Sequence, residues 1–494
     1  MKLTNYIKAA MLIVLTMFLG VNTAFAQTTG NSLTLKNTGA TSHIFEIYQV
    51  FKGDVSEDGK TLSNIEWGKG VTPKEGEKAE EVAAGLTSTN AQVFADGLAS
   101  TNAQAFADGL TLGTPIATST AVDAGGSYSF SNLEAGYYLV KDVAKSQNGV
   151  ESGASTLYIL KVVGIVTAET KLSVPTVEKK VKDINDTTGE KSDWVDTADH
   201  DINDKVPFQL TGTLPSNYEQ YSTYKYVFHD ELSAGLTFNA DSVKVFVEDK
   251  QISSGYTVDT TNGITITFDN LKNVTKSKDS KIVVEYTATL NENAVIGSGG
   301  NPNEVYLEYS NNPNKGGEGE TGKTPKDKVI VFTYKTIINK VDQDKNPLAG
   351  ANFKLEKKVG EEFVEVDRLT ISEDKTSFSF NGLDDGTYRL TETETPNGYN
   401  TIEPIEFTIS AEHSDQTLSL GTVTGTDTKE VNPATFTSDN GTLTTDIVNK
   451  AGVTLPSTGG MGTTLLYTVG GVLFLVAIGY YLYDRKKASN KKNK

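Results

Sequence analysis

The sequence predicts an all-β fold built from tandem immunoglobulin-like β-sandwich domains. Between Gln27 and Thr454, short runs of alternating apolar and polar residues recur, such as VKVFVE at 243–248. Asn-Gly pairs, for example at Asn262 and Asn440, separate these runs in the manner of hairpin turns. The length between the two ends suits about three sandwiches.

Helical periodicity is scarce outside roughly 78–110. Within that segment the unit STNAQVFADGLA at 88–99 is followed by STNAQAFADGLT at 100–111. A tandem this short, found once, predicts a duplicated helical or loop insertion in the first domain and not a solenoid.

The N-terminus has the pattern of a secretory signal peptide. Lys2 and Lys8 form a basic head, the run 9–21 is apolar, and Ala24-Phe25-Ala26 supplies an A-x-A exit. The apolar run is too short to span a bilayer. We therefore expect residues 1–26 to be cleaved from the mature protein.

Two changes of pattern divide the remaining chain. One lies near Leu172 to Pro175, where VPTVEKKV begins a new strand, and the other near Tyr334 to Ile337. The glycine-rich stretch 316–322 is interpreted as a loop before the last strand of the second domain, because the strand-like run 328–334 follows it. The predicted ranges are 27–172 for an N-terminal domain, 173–334 for a middle domain, 335–454 for a C-terminal domain and 455–494 for a sorting region.

Three signals follow one another at the C-terminus. LPSTG at 455–459 precedes the almost uncharged apolar stretch 465–483, which is long enough to cross a bilayer, and Arg485 begins a basic cytoplasmic tail. This order resembles the sorting signal of sortases, whose cysteine attacks the Thr-Gly bond and passes the Thr carboxyl to an amine. A permanent single-pass anchor is the alternative. The resemblance implies sortase contacts at Leu455, Pro456, Thr458 and Gly459, with cleavage between the last two.

Composition excludes several classes of protein. The chain has no cysteine, so it has neither a disulfide framework nor a thiol nucleophile. A net charge of -18, spread along the chain, argues against nucleic-acid binding. None of the four histidines has metal-ligand spacing, and the acid-rich string 196–204 lacks the Gly and terminal Glu of an EF-hand loop. We expect no cofactor and no metal, and interpret that string as a solvated turn.

The C-terminal domain carries the most specific motif. Its first strand contains Lys340, YRLTETETPNGY occupies 388–399, and TTDIVNK closes the domain before the sorting signal. These strings closely resemble the collagen-adhesin B-type domain of Gram-positive surface proteins, whose E-box has the pattern Y-x-L-x-E-T-x-x-P-x-G-Y. The resemblance implies an intramolecular isopeptide bond between Lys340 and Asn449, promoted by Glu392.

The chemistry of such a bond depends on burial. A lysine inside a sandwich loses the solvation of its charge, so its pKa falls and the amine becomes neutral and nucleophilic. A carboxyl buried beside it shifts the opposite way, can polarise the asparagine carboxamide, and can relay a proton as ammonia leaves. The three residues must therefore meet in one cluster, from three different strands.

The middle domain shows a looser version of the pattern. VPTVEKKVKD opens it, YVFHDELSAGLTF lies at 226–238, and NEVYLEY occupies 303–309. These strings resemble the collagen-adhesin A-type fold of the middle domains of backbone pilins. By position, the resemblance assigns Lys179, Asp230 and Asn303 to the reactive roles.

Two neighbours compete with these assignments. Lys180 points to the opposite face of a strand from Lys179, and Val177 indicates that the face of Lys179 is the buried one. Asn301 is the alternative acceptor to Asn303.

The N-terminal domain has only an echo of the motif. Lys36 lies on a first strand, and GYYLVKD at 136–142 resembles a degraded E-box with aspartate. The run LYILKVVG at 157–164, interpreted as the last strand, contains no asparagine. We predict no isopeptide bond in this domain.

A further lysine should join subunits. Pilus sortases pass the Thr carboxyl of one subunit to a lysine of the next, commonly in a Y-P-K-N-like motif at the end of the first domain. This sequence has no Y-P-K and carries AETK at 168–171 instead. We assign the linkage to Lys171, with Lys161 as the alternative; Lys171 is equally explained as an ordinary linker lysine.

Together the resemblances imply a secreted, cell-wall-anchored major structural subunit of a sortase-assembled pilus. The implied partners are a pilus sortase, a housekeeping sortase, identical subunits, minor tip and base pilins, and peptidoglycan. A wall-anchored adhesin that binds a host extracellular protein is the alternative, although no specialised ligand-binding module is evident. An enzyme is not expected, because the sequence has no G-x-S-x-G, H-E-x-x-H or thiol–histidine pair.

Overall fold

The structure is a computed structural model of the 494-residue chain. The predicted signal peptide, the tandem repeat 88–111 except its last residue, Lys171 and the LPSTG motif all lie outside the described residues. The described residues are 30–56, 62–73, 75–84, 111–170, 172–261, 263–313, 316–317, 319–429, 433–452 and 462–490.

The N-terminal sandwich packs two main sheets around a core that includes Leu33, Phe45 and Val140. Its elements are β1 (Asn31–Lys36), β2 (Phe45–Val55), β3 (Leu62–Trp67), β4 (Val71–Thr72), α1 (Ala79–Ala84), β5 (Thr111–Leu112), β6 (Ala117–Thr118), β7 (Ser127–Leu133), β8 (Gly136–Asp142), β9 (Leu157–Val162) and β10 (Ile165–Glu169). One sheet has the order β10-β1-β7, and the other β3-β2-β8-β9 with β6 on β2. The prediction that the run 157–164 is the last strand is wrong, because β10 follows it and pairs in parallel with β1.

The middle sandwich has the largest core, rich in tyrosine and phenylalanine. Its strands are β11 (Val177–Val181), β12 (Thr197–Asp199), β13 (Lys205–Gly212), β14 (Tyr226–Leu232), β15 (Leu236–Val247), β16 (Lys250–Ile252), β17 (Thr257–Asp259), β18 (Ile264–Phe268), β19 (Ile282–Leu290), β20 (Asn301–Ser310), β21 (Thr321–Lys323) and β22 (Asp327–Phe332). One sheet has the order β11-β13-β19-β15-β16 and the other β12-β22-β20-β14-β18-β17. Strand β22 pairs with β20, so the described part of the glycine-rich stretch 316–322 lies before a strand of this domain, as predicted. The prediction of a loop is wrong for its last two residues, which belong to β21 and pair with β20.

The C-terminal sandwich begins with β23, which a single residue, Thr333, separates from β22. Its strands are β23 (Tyr334–Val341), β24 (Asn352–Val359), β25 (Glu362–Glu365), β26 (Leu369–Ile371), β27 (Ser377–Leu383), β28 (Gly386–Glu394), β29 (Ile405–Ser414), β30 (Ser419–Asp427), β31 (Phe436–Asp439) and β32 (Thr442–Val448). The sheets have the orders β26-β27-β23-β32-β31 and β25-β24-β28-β29-β30. The first strand, β23, pairs in parallel with the last, β32, which brings the two ends of the domain together.

A single long helix, α2 (Gly462–Asn490), follows the sandwiches. Its segment Leu466–Lys486 is long and apolar enough to cross a membrane. The all-β class of the folded part is confirmed, and this helix agrees with the predicted sorting signal.

The acidic string 196–204 is not a solvated turn, contrary to the sequence interpretation. Asp199, His200 and Asp201 are buried where the middle and C-terminal sandwiches meet. Asp199 lies 3.7 Å from His413 of β29, and Asp201 lies 2.5 Å from the ammonium of Lys357 on β24. The sequence could not reveal this, because Lys357 and His413 are more than 150 positions away from the string.

The charge on His413 should contribute to the stability of this interface. Burial lowers its pKa, but hydrogen bonds to Asp183 and Asp199 and their charges outweigh burial and raise the pKa to about 10. Because the folded-state pKa lies above the usual 6.5, protonation of His413 stabilises the folded state fully below pH ~6.5. This stabilisation is lost as the pH rises through ~10. We expect His413→Gln to destabilise the protein by about 2 kcal/mol at pH 6 and little at pH 10. Calorimetric unfolding at both pH values measures this, and an equal effect at the two would contradict it.

Candidate functional site

A lysine, a carboxyl and a carboxamide meet inside the middle sandwich. Lys179, Asp230 and Asn303 are each at most 1% exposed. The Nζ of Lys179 lies 2.6 Å from Oδ2 of Asp230 and donates a hydrogen bond to the hydroxyl of Tyr286 at 2.9 Å. The Nδ2 of Asn303 donates to the same hydroxyl at 2.8 Å.

The strand order explains this meeting. Strands β14 and β20 are antiparallel neighbours, and their register brings Asp230 and Asn303 close together on the inner face of one sheet. Lys179 enters from β11 of the opposite sheet. Its backbone N–H also donates to the carboxylate of Asp327 on β22 at 2.6 Å, which ties the first strand to the last.

Burial dominates the electrostatics of this cluster. It lowers the pKa of Lys179, with the charge of Asp230 opposing the shift. It raises the pKa of Asp230, with Lys179 opposing in turn. Both shifts favour the uncharged pair, a neutral amine beside a protonated carboxyl, which is the form that can attack a carboxamide.

The two sequence alternatives occupy other environments. The ammonium of Lys180 lies 2.7 Å from Asp196 and is partly exposed, as strand alternation predicted. The side chain of Asn301 is buried, but it is fully engaged: Val295 N–H donates to its Oδ1 at 2.8 Å, and its Nδ2 donates to the carbonyls of Val295 and Val331 at 3.1 Å each.

A second cluster lies inside the C-terminal sandwich. The Nδ2 of Asn449, which follows β32, donates to both carboxylate oxygens of Glu392 on β28, at 2.8 and 3.2 Å. The Nζ of Lys340 on β23 donates to the carbonyl of Ile447 at 2.8 Å, two residues before Asn449. The parallel pairing of β23 with β32 produces this approach.

Lys340 has no direct carboxylate contact among the hydrogen bonds of the described residues, so burial governs its charge. Burial lowers the pKa of Lys340 to about 8, and the charge of Glu392 opposes the shift only partly. About a tenth of this amine is therefore neutral at pH 7, far more than for an exposed lysine. The carboxyl of Glu392 is fixed by Asn449 and by the N–H of Ile402 at 3.0 Å.

Lys357 provides a contrast within the same molecule. It is as deeply buried as the reactive candidates, but its ammonium contacts Asp186 at 3.1 Å, Asp201 at 2.5 Å and Asp384. Burial lowers its pKa, and the three carboxylates outweigh that effect and raise it. This lysine therefore stays charged and unreactive. It also occupies the centre of the carboxylate group that would otherwise be a candidate metal site.

The N-terminal sandwich lacks the reactive pair at the equivalent positions. Its pairing registers match those of the C-terminal sandwich, and they place Asn37 at the position of Lys340 and Leu172 at the position of Asn449. Lys36, the first-strand lysine noted in the sequence, lies one residue before the position equivalent to Lys340, and its side chain is half exposed. The absence of a bond in this domain stays a prediction. Its physical reason is that the position equivalent to Lys340 holds no lysine and the position equivalent to Asn449 holds no asparagine.

The equivalent of Glu392 in the N-terminal sandwich is Asp142. Its Oδ1 lies 2.7 Å from Nδ1 of His43, and its Oδ2 accepts from the N–H of Thr156 at 2.6 Å. The carboxyl at this position therefore pairs with a histidine and a backbone amide.

The residues assigned to linkage between subunits are mostly not described. Lys171 and the sorting motif lie outside the described residues. The alternative lysine, Lys161, lies on β9 and is partly buried. These assignments stay predictions.

Three protein-family models match the chain. Residues 202–313 match a Gram-positive pilin backbone subunit 2, Cna-B-like domain. Residues 335–424 match the SpaA prealbumin-like fold domain, and residues 447–491 match the LPXTG cell wall anchor motif. The middle region thus matches a B-like description, where the sequence resemblance indicated the A-type fold.

One relative and one solved structure are similar over most of the chain. The trypsin-resistant surface T6 protein of Streptococcus pyogenes serotype M6 is 28% identical, over 90% of this chain and 92% of that protein. The solved structure of the T6 backbone pilin of serotype M6 Streptococcus pyogenes, described as a modular three-domain structure, has a TM-score of 0.54 at 20% identity. That match covers 87% of this chain and all of the solved chain, and it supports the three-sandwich fold.

Proposed function

Since this chain belongs with the Gram-positive backbone pilins that carry an LPXTG cell wall anchor motif, we propose that it forms a pilus shaft through two kinds of amide bond. It is a structural subunit at the cell wall and not an enzyme. One kind of bond would join subunits, from Thr458 of one chain to Lys171 of the next. The other would lie inside subunits, from Lys179 to Asn303 and from Lys340 to Asn449.

The observation that supports the internal bonds is the meeting of Lys179, Asp230 and Asn303 in one buried cluster. In the condensation, Nζ of the lysine forms a bond to the asparagine Cγ, the Cγ–Nδ2 bond breaks, and ammonia leaves. The acid, Asp230 or Glu392, shuttles the proton. The contrast with Lys357 supports the choice of lysines, because burial beside several carboxylates keeps an amine charged.

The proposed bonds would change how a shaft bears tension. In the proposed middle domain (173–334), tension applied at β11 would be transmitted through the Lys179–Asn303 bond to β20 and on to β22. Most of the sandwich would then carry no load. In the C-terminal domain (335–454), the bond would join β23 to the end of β32 in the same way. A chain with no cysteine would thereby gain covalent cross-links that reducing agents cannot break.

The proposed partners follow from the linkage chemistry. A pilus sortase would join subunits, while a housekeeping sortase would attach the finished fibre to peptidoglycan. Minor pilins would occupy its tip and base.

Incubation with a pilus sortase tests the proposed assembly. We expect the mature protein with its sorting motif to form a ladder of polymers that survives boiling in detergent on a denaturing gel. The matched variant Thr458→Ala should stay monomeric, because it removes the threonine side chain of the LPSTG motif, so the sortase should not cleave the chain after residue 458. A wild-type protein that stays monomeric with an active pilus sortase would contradict the proposal.

A further inference from the structure

One tyrosine hydroxyl lies at the centre of the middle-domain cluster. The Oη of Tyr286 donates to Oδ2 of Asp230 at 2.8 Å. It accepts from Nζ of Lys179 at 2.9 Å and from Nδ2 of Asn303 at 2.8 Å. This single atom therefore contacts the nucleophile, the acid and the leaving nitrogen, and the side chain is buried.

The C-terminal cluster has no such bridge among its described residues. There, Glu392 hydrogen-bonds the carboxamide of Asn449 directly. In the middle cluster the acid is Asp230, which is one methylene shorter, and the described residues show no hydrogen bond between it and Asn303. Among the described residues, Asp230 and Asn303 are connected through the hydroxyl of Tyr286, which hydrogen-bonds both of them.

Packing fixes the phenol in this position. The ring of Tyr286 stacks on Phe208, with ring centres 5.4 Å apart, and meets Phe238 edge-on at 5.2 Å. It projects from the buried face of β19, whose alternate residues form the core. Burial also raises the pKa of Tyr286 well above its usual value, so the hydroxyl keeps its proton until a stronger base forms beside it.

We propose that Tyr286 is a catalytic residue of the Lys179–Asn303 condensation, carrying the proton of Asp230 to the leaving nitrogen of Asn303. This inference rests on the proposed function of the cluster. It assigns the middle domain a Lys–Asp–Tyr–Asn group, where the C-terminal domain uses three residues.

The proton transfers balance. Neutral Lys179 Nζ attacks Cγ of Asn303, which leaves a positive Nζ, an oxyanion on Oδ1 and a basic amine at Nδ2. The phenol of Tyr286 gives its proton to Nδ2 and takes one from Asp230, which then takes one from Nζ. The Cγ–Nδ2 bond breaks, the carbonyl re-forms, and ammonia leaves with Tyr286 and Asp230 restored.

The variant Tyr286→Phe removes the hydroxyl and keeps the ring. The full-length chain is synthesised in a cell-free system, samples are digested with trypsin over time, and the branched peptide containing Lys179 and Asn303 is quantified. We expect this peptide to form roughly 100-fold more slowly than in the wild type, because positioned proton transfer contributes at least that much. The branched peptide with Lys340 and Asn449 should form at the wild-type rate and reports on folding in the same sample.

Tyr226→Phe is the matched control. Tyr226 is another buried tyrosine of this sandwich, and its hydroxyl donates to the carbonyl of Thr213, outside the cluster. We expect this variant to form both branched peptides at wild-type rates. A Tyr286→Phe protein that forms the Lys179–Asn303 peptide as fast as the wild type would overturn the inference.

Two further measurements separate chemistry from folding. In an Asp230→Ala background, where the bond is not expected, Tyr286→Phe should change the unfolding temperature little; a large drop would assign the residue a structural role. A ring-fluorinated tyrosine at position 286 keeps every contact but makes the phenol more acidic, so it should change the rate. An unchanged rate would overturn the inference. By contrast, a wild-type chain without the branched peptide would refute the proposed function of this cluster itself.

Discussion

Replacing Asp230 by alanine is expected to leave the middle domain without its Lys179–Asn303 bond and to lower its free energy of unfolding by about 4–5 kcal/mol. The bond would close a loop between residues 124 positions apart, and on the loop-entropy model a cross-link of that length disfavours the unfolded chain by this amount. Without the carboxyl, the buried amine of Lys179 keeps the hydroxyl of Tyr286 as a hydrogen-bond partner but loses the carboxyl that would take its proton. Measured against the mass that its own sequence requires, the variant should therefore have lost one ammonia fewer than the wild type.

Intact mass spectrometry and denaturant unfolding measure the two effects together. Glu392→Ala is the matched control, because it should also retain one ammonia but through the C-terminal cluster. The double variant should retain two. An Asp230→Ala protein that has lost as many ammonias as the wild type, with wild-type stability, would show that this carboxyl does not promote a bond.

Replacing Lys171 by alanine is expected to abolish the polymer ladder that a pilus sortase makes from the wild type. An acyl group held on the sortase cysteine can pass only to an accessible amine, and our assignment makes Lys171 that amine. The variant should still be cleaved after Thr458, so the threonine carboxyl is released to water or to another amine. A denaturing gel and the mass of the cleaved chain report the two steps separately.

Lys161→Ala is the control for this experiment. It removes a lysine on β9 of the same N-terminal sandwich and should leave the ladder unchanged. If Lys161→Ala abolishes the ladder while Lys171→Ala does not, the linkage belongs to the alternative lysine. If both variants still polymerise, neither assignment is correct.

Strand alternation and one long motif made much of the fold and of the candidate sites predictable. The parity of Val177 and Lys179 predicted which lysine lies inside, and Lys179 is indeed buried. The E-box string at 388–399 has many fixed positions, so it located Glu392 on an inner face without knowledge of the sheet order. Asn449 was then found by its place at the end of the last strand.

Other features depend on tertiary contacts that no local pattern encodes. In the sequence, Tyr286 fits the alternation of β19 like any other core residue of that strand. Its hydroxyl contacts Lys179 and Asn303 only because β11 and β20 approach it in the folded chain. The string 196–204 has the composition of a solvated turn, but Lys357 and His413 of another domain neutralise it. The short strand β10 was missed because its alternation spans only five residues, and parallel pairing with β1 supplies the rest of its stability.

The intact mass of the mature wild-type chain tests the internal cross-links most directly. Each lysine–asparagine amide removes one ammonia, so the folded protein should weigh two ammonia less than its sequence requires, and unfolding should not restore the difference. A mature chain whose mass equals the sum of its residues would show that both clusters are unreacted, and the account of a covalently braced shaft would be wrong.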